Sequence, residues 1–145
     1  MNSVRQTSLS LFARISMICG LVAFTGCGGS GDPIPMLVPV TGMVEYLGKP
    51  LAGAAVSFSP QQAAETGSQR TSLGRTDENG VFTLMYNADY EGAIIGSHIV
   101  RISKLEGTDE EPGGEMLPSK YNAQSTLTET VSADGTNDFF FQLKK

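Results

Sequence analysis

The chain has 145 residues, 40% hydrophobic, 8% aromatic and 17% charged, with 17 Gly, 7 Pro, two Cys, one His and no Trp. That length suits one compact domain, the apolar content argues against wholesale disorder, and no apolar run is long enough for a polytopic membrane protein. The net charge is −5, and all 15 acids lie beyond position 31; residues 27–145 hold 8 Lys and Arg against those 15 acids, a balance of −7 that argues against nucleic acid as a partner.

Residues 1–14 carry Arg5 and Arg14 and no acid, and Ile15 to Phe24 is an apolar stretch of about ten residues. These are the n-region and h-region of a secretory signal, too short to span a bilayer. Thr25, Gly26, Cys27, Gly28, Gly29, Ser30 and Gly31 then set small residues before a cysteine and glycine-rich chain after it. This segment resembles a bacterial lipobox, with Phe24 where that motif usually has an aliphatic residue. The resemblance implies cleavage before Cys27, a diacylglyceryl thioether on its sulfur, and a lipid-anchored mature protein. Each buried CH₂ contributes about 0.8 kcal/mol, so one acyl chain holds marginally and two or more hold firmly. A Cys19–Cys27 disulfide is the rival, but Cys19 lies in the segment that cleavage removes, which leaves no internal disulfide. Gly28 after the cysteine, where an Asp would retain a protein in the inner membrane, points toward the outer membrane. The expected organisation is a signal peptide at 1–26, a flexible tether at 27–37 stiffened toward its end by prolines, and a domain at 38–145.

From Val38 the pattern is period-two alternation in short runs bounded by Gly, Pro, Asn or Asp, with no long segment at helical spacing. Val38 to Tyr46 predicts a first strand with Val40, Val44 and Tyr46 on one face. Leu47 to Gly53 is a turn and connector, and Ala54 to Ser59 a strand with Val56 and Phe58 inward. Arg70 to Thr76 reads as a polar edge strand. Asp77-Glu78-Asn79-Gly80 is a tight reversal in which Asn79 and Gly80 are expected at positive φ. Val81 to Met85 follows with Phe82 and Leu84 alternating. Ser97 to Leu105 places His98, Val100 and Ile102 on one face, and Ser125 to Val131 and Asn137 to Leu143 complete seven strands. Gln61 to Gln69 reads as a polar loop, and Glu106 to Pro118, rich in acids, Gly and Pro, as a mobile surface loop. Seven short strands predict an all-β fold, a seven-stranded antiparallel Greek-key sandwich.

Val40 to Pro60 (VTGMVEYLGKPLAGAAVSFSP), Gly74 to Leu84 (GRTDENGVFTL) and Gly96 to Ile102 (GSHIVRI) resemble the motifs of a carboxypeptidase regulatory-like domain. The likeness runs over residues 38–143 and implies a transthyretin-like, immunoglobulin-like sandwich. With the lipobox it is similar to small envelope lipoproteins of planctomycete-like bacteria, whose biochemical role is generally unassigned.

Candidate chemistry is thin. Nucleophilic catalysis needs a nucleophile with a base in reach, and His98 is the only histidine; it alternates with Val100 and Ile102 as a half-buried strand residue would. One histidine and no free thiol leave no zinc site. Asp77, Glu78 and Asn79 lack the spacing of an EF-hand loop and read as turn chemistry. Asp109, Glu110, Glu111 and Glu115 form an acidic cluster that a solvated loop explains. A buried first-strand lysine for an isopeptide bond is missing, since Lys49 falls in the turn. The C-terminus, Phe141-Gln142-Leu143-Lys144-Lys145, is not that of the transthyretin-related hydrolases.

Phe140 stands out, because Phe139 and Phe141 claim the opposite alternation; it is expected either to dock a partner or to pack under the 61–69 loop. The leading expectation is a non-enzymatic module, without cofactor or metal, anchored through Cys27 to the cell membrane or outer membrane and facing the periplasm or exterior. Its partner would be an envelope protein or a glycan. A carbohydrate-binding or transport-accessory module is the alternative and needs an exposed aromatic strip drawn from Tyr46, Tyr86, Tyr90 or Phe140; a small hydrolase is a third reading.

Overall fold

The computed structural model describes residues 33–107 and 110–145. The expected signal segment, Cys19, Cys27 and most of the expected tether lie outside these residues, as does Asp109 of the acidic cluster. The described chain is all-β, with a single turn of 3-10 helix at Ser119–Tyr121.

Every segment in which alternation predicts a strand contains one. These are β2 (Thr41–Tyr46), β4 (Ala55–Pro60), β5 (Ser72–Arg75), β6 (Val81–Thr83), β8 (Gly96–Ser103), β11 (Thr128–Val131) and β12 (Asp138–Leu143). Five further short strands correct the expected count of seven: β1 (Leu37–Val38), β3 (Lys49–Pro50), β7 (Ala93–Ile94), β9 (Leu105–Gly107) and β10 (Pro112–Glu115).

Two four-stranded sheets hold most of these elements. The first runs β12-β2-β3, with β6 also on β2. One edge of β2 is shared, because Thr41 to Met43 pair with β6 while Glu45 and Tyr46 pair with β3. The other edge pairs with β12 in parallel, Asp138 opposite Thr41 through Leu143 opposite Tyr46, so the expectation of antiparallel pairing throughout is corrected here. The second sheet runs β11-β8-β4-β5 and is antiparallel, with β5 at its edge as its polarity predicts.

The inward residues of both sheets form one apolar core, including Val40, Val44, Val56, Phe58, Phe82, Leu84, Val100, Ile102, Val131, Phe141 and Leu143. Phe58 on β4 spans the two sheets: its ring centroid lies 5.4 Å from Phe139 and 6.4 Å from Phe141 on β12. Burying one such side chain contributes about 1.5–3 kcal/mol. At Gly42 a Cβ would fall 2.3 Å from the Phe139 carbonyl oxygen and 2.7 Å from the Phe82 ring. The missing side chain lets β12 and Phe82 close over β2.

The 77–80 reversal forms through a different residue than expected. Asp77 Oδ1 accepts from the backbone N–H groups of Asn79 (2.8 Å) and Val81 (2.9 Å), and only Gly80 has positive φ, 76°. The side-chain acceptor fixes the turn without Asn79 entering the left-handed region. The β2–β3 hairpin, by contrast, puts Leu47 at φ 55° ahead of Gly48 at φ 75°.

The interval Glu106 to Pro118 is a further correction. Rather than a structureless loop, β9 and β10 pair in an antiparallel ribbon with a bulge, and Leu117 at its base is buried. Glu115 holds that base. Its carboxylate accepts from Ser103 Oγ and from the backbone N–H groups of Lys104 (2.9 Å) and Leu117 (3.0 Å).

Candidate functional site

His98 is 1% exposed, in the inward row with Val100 and Ile102. Its Nδ1 lies 3.0 Å from the Gly96 carbonyl oxygen and its ring centroid 5.8 Å from that of Phe58. Burial holds its pKa below the usual 6.5, outweighing the hydrogen bond to Gly96 that favours protonation. Ser72, which sequence reasoning passed over, is also buried, and its hydroxyl has no hydrogen-bond partner. It therefore does not form the nucleophile–base hydrogen bond that acyl-transfer chemistry requires.

Two of the candidate acids are engaged in the fold. Asp77 is consumed by its turn. Glu115 is raised by partial burial, but the hydrogen bonds from Ser103, Lys104, Leu117 and Met116 outweigh this and keep it below 4.5. Glu110 and Glu111 are exposed on the ribbon. Among the described residues no group of three or more His, Cys, Asp or Glu could hold a metal ion. No helix among them is long and apolar enough to cross a membrane.

The four aromatic residues of the glycan reading go to different places. Tyr46 packs against the core. Tyr86 is buried, with its hydroxyl 2.8 Å from Ser68 Oγ and Arg70 above its ring. Tyr90 is exposed in the 86–91 connection, closed by backbone bonds from Tyr86 and Asn87 to its carbonyl. Phe140 is 57% exposed on β12, on the side away from Phe139 and Phe141.

What surrounds Phe140 is set by strand register. Phe140 pairs with Met43 on β2, and Met43 pairs with Val81 on β6, so three strands contribute one apolar row to the outer face of the first sheet. Met43 is half-buried and Val81 is 38% exposed. On one side of the row Thr41 Oγ1 donates to Asp138 Oδ1 at 3.2 Å, and on the other Gln142 Nε2 donates to Glu45 Oε2 at 3.2 Å. Each flanking pair is polar and joined by one hydrogen bond, which leaves the apolar row as the part of this face that gains from being covered. Alternation alone marks Phe140 as outward; Met43 and Val81 join it only through pairing across the sheet.

The outer face of the second sheet is built from hydroxyls and a guanidinium. Arg101 donates to Ser59 Oγ at 3.3 Å, Ser59 Oγ and Thr71 Oγ1 share a hydrogen at 3.1 Å, and Ser57 Oγ donates to the Arg101 carbonyl at 3.4 Å. Leu73 and Ile99 lie among them, each in a row that also carries hydroxyls.

Comparison with family models, curated proteins and solved structures gives no match to this chain.

Proposed function

We propose that this chain is a non-enzymatic, lipid-anchored binding module of the bacterial envelope, tethered through acylated Cys27 and offering the outer face of its first sheet to an envelope protein. The fold reading that accompanies it is a carboxypeptidase regulatory-like, transthyretin-like Greek-key sandwich. Two four-stranded sheets that share one core, with the last long strand laid parallel on the first, support it. The observation that carries the binding reading is the Phe140–Met43–Val81 row, an apolar strip between hydrogen-bonded polar pairs.

The test is a photoreactive phenylalanine analogue at position 140 in cells of the native organism, compared with the same analogue at Thr130 on the other sheet. The expected result is an adduct of one discrete mass at 140 only, lost when Met43→Glu is added. No adduct, or the same adduct from both positions, overturns the reading. Intact mass of the protein from its membrane fraction, beside Cys27→Ser, tests the anchor separately.

A further inference from the structure

The end of the domain at which the chain enters carries its own apolar surface. Pro35 is buried, whereas its neighbours Ile34 and Met36 are 42% and 74% exposed. They cannot swing free, because the next two residues are paired, Leu37 opposite Ile94 and Val38 opposite Ala93. One step further along that register Met36 comes beside Ile95. Met36 and Ile95 line, together with Ala63 and Ala64, a groove of about 310 Å³. The loop bearing the alanines is held by Gln61 N–H to the Ser97 carbonyl (2.9 Å), Ala64 N–H to Ser68 (2.8 Å) and Gly67 N–H to Ala64 (2.8 Å). Among the described residues, Glu65 is the one charged side chain lining the groove, and no Lys or Arg lines it.

We infer that this end docks on the lipid bilayer itself, with Ile34 and Met36 entering the interface between headgroups and acyl chains. The inference rests on the reading that Cys27 is acylated. Six peptide units separate Cys27 from Pro33, so even fully extended chain spans only about 20 Å. An anchor at Cys27 therefore keeps the Ile34 and Met36 end close to the lipid surface at all times, at high effective concentration. A second copy fits this end less well, because copies anchored side by side all turn it toward the same bilayer. With no Lys or Arg among the described residues that line the groove, docking works by apolar insertion and does not need anionic lipid.

The chain contains no Trp, so Met36→Trp creates a single reporter. The full chain is purified from membranes, its acylation read by intact mass, and placed in phosphatidylcholine vesicles with brominated acyl chains; Thr130→Trp serves as the comparison. The expected result is blue-shifted emission at 36, quenched at least about twofold more than at 130, unchanged by added salt, and returned to the level at 130 by Ile34→Asp. Acylated protein quenched equally at both positions overturns the docking and leaves the anchor standing. A blue shift without bromolipid quenching means that protein, such as a second copy, covers Met36, and also overturns it. A mass without acyl chains overturns the anchor reading and this inference with it.

Discussion

The two large sheets turn similar faces inward and different faces outward. Inside, both present Val and Phe to one core, with Leu143 from the first sheet and Ile102 from the second. Outside, the second sheet is laced by Arg101, Ser57, Ser59 and Thr71, which satisfy one another, while the first carries the Phe140–Met43–Val81 row across three strands. The inward faces are constrained by burial, since residues there must fill space and an unpaired polar group is costly, with the Ser72 hydroxyl as an exception. The outward faces escape that constraint, so a continuous apolar row there is the feature that folding does not require.

The largest effect should separate neighbours on one strand. Phe141→Ala removes a ring that lies 6.3 Å from Phe82 and 6.4 Å from Phe58 and Phe139, and is expected to cost about 3–5 kcal/mol in urea unfolding. Phe140→Ala should stay within about 0.5 kcal/mol of wild type; a comparable loss at both would break the distinction between inner and outer rows. Gly42→Ala is next. Its Cβ meets the Phe139 carbonyl and the Phe82 ring, and overpacking of this kind costs about 1–3 kcal/mol, read as a lowered urea midpoint. Thr76→Val keeps the side-chain shape but removes two hydrogen bonds, one donated to the Leu51 carbonyl (2.6 Å) and one accepted from Ala54 N–H (2.8 Å). The expected loss is about 1–3 kcal/mol by the same measurement.

The buried histidine gives a pH-dependent version of the same contrast. His98 is held below 6.5 by burial, so as pH falls through 6.5 the unfolded chain takes up a proton before the folded one does. Stability from this group is therefore full above 6.5 and declines as pH falls toward the folded value. Urea midpoints between pH 7.5 and 5.5 should drop in wild type and drop less in His98→Gln; equal slopes would contradict the buried, neutral imidazole. The smallest effect is at Ser72, whose hydroxyl is buried without a partner. Ser72→Ala should be neutral or stabilise by up to about 1 kcal/mol, and a clear loss would reveal a hydrogen bond to that hydroxyl.

The legible parts of this fold are those where a strand is half-buried. His98, Val100 and Ile102 on β8, and Phe139, Phe141 and Leu143 on β12, alternate cleanly because one face meets the core and the other does not. The ribbons escaped such reading. β1 and β7 are two residues each, too short for any period to show, and β9 and β10 form in a Gly- and Pro-rich interval where apolar alternation is absent. Glu115 reads as one more acid of a polar loop, and its part as a backbone acceptor depends on Lys104 and Leu117 arriving beside it. The candidate site was half legible: Phe140 breaks the alternation of its neighbours, but nothing local ties it to residues 43 and 81.

The sequence by itself determined the all-β class, the position of each long strand and the inward identity of its residues, because a two-residue period is a local property of the chain. Only the tertiary structure decided that β12 runs parallel to β2, that residues far apart in sequence line up as one outer row, and that Met36 lines one groove with Ile95 at the entry of the chain. Register and sheet order are set by which strands meet, and that follows from packing the whole core at once rather than from any one segment.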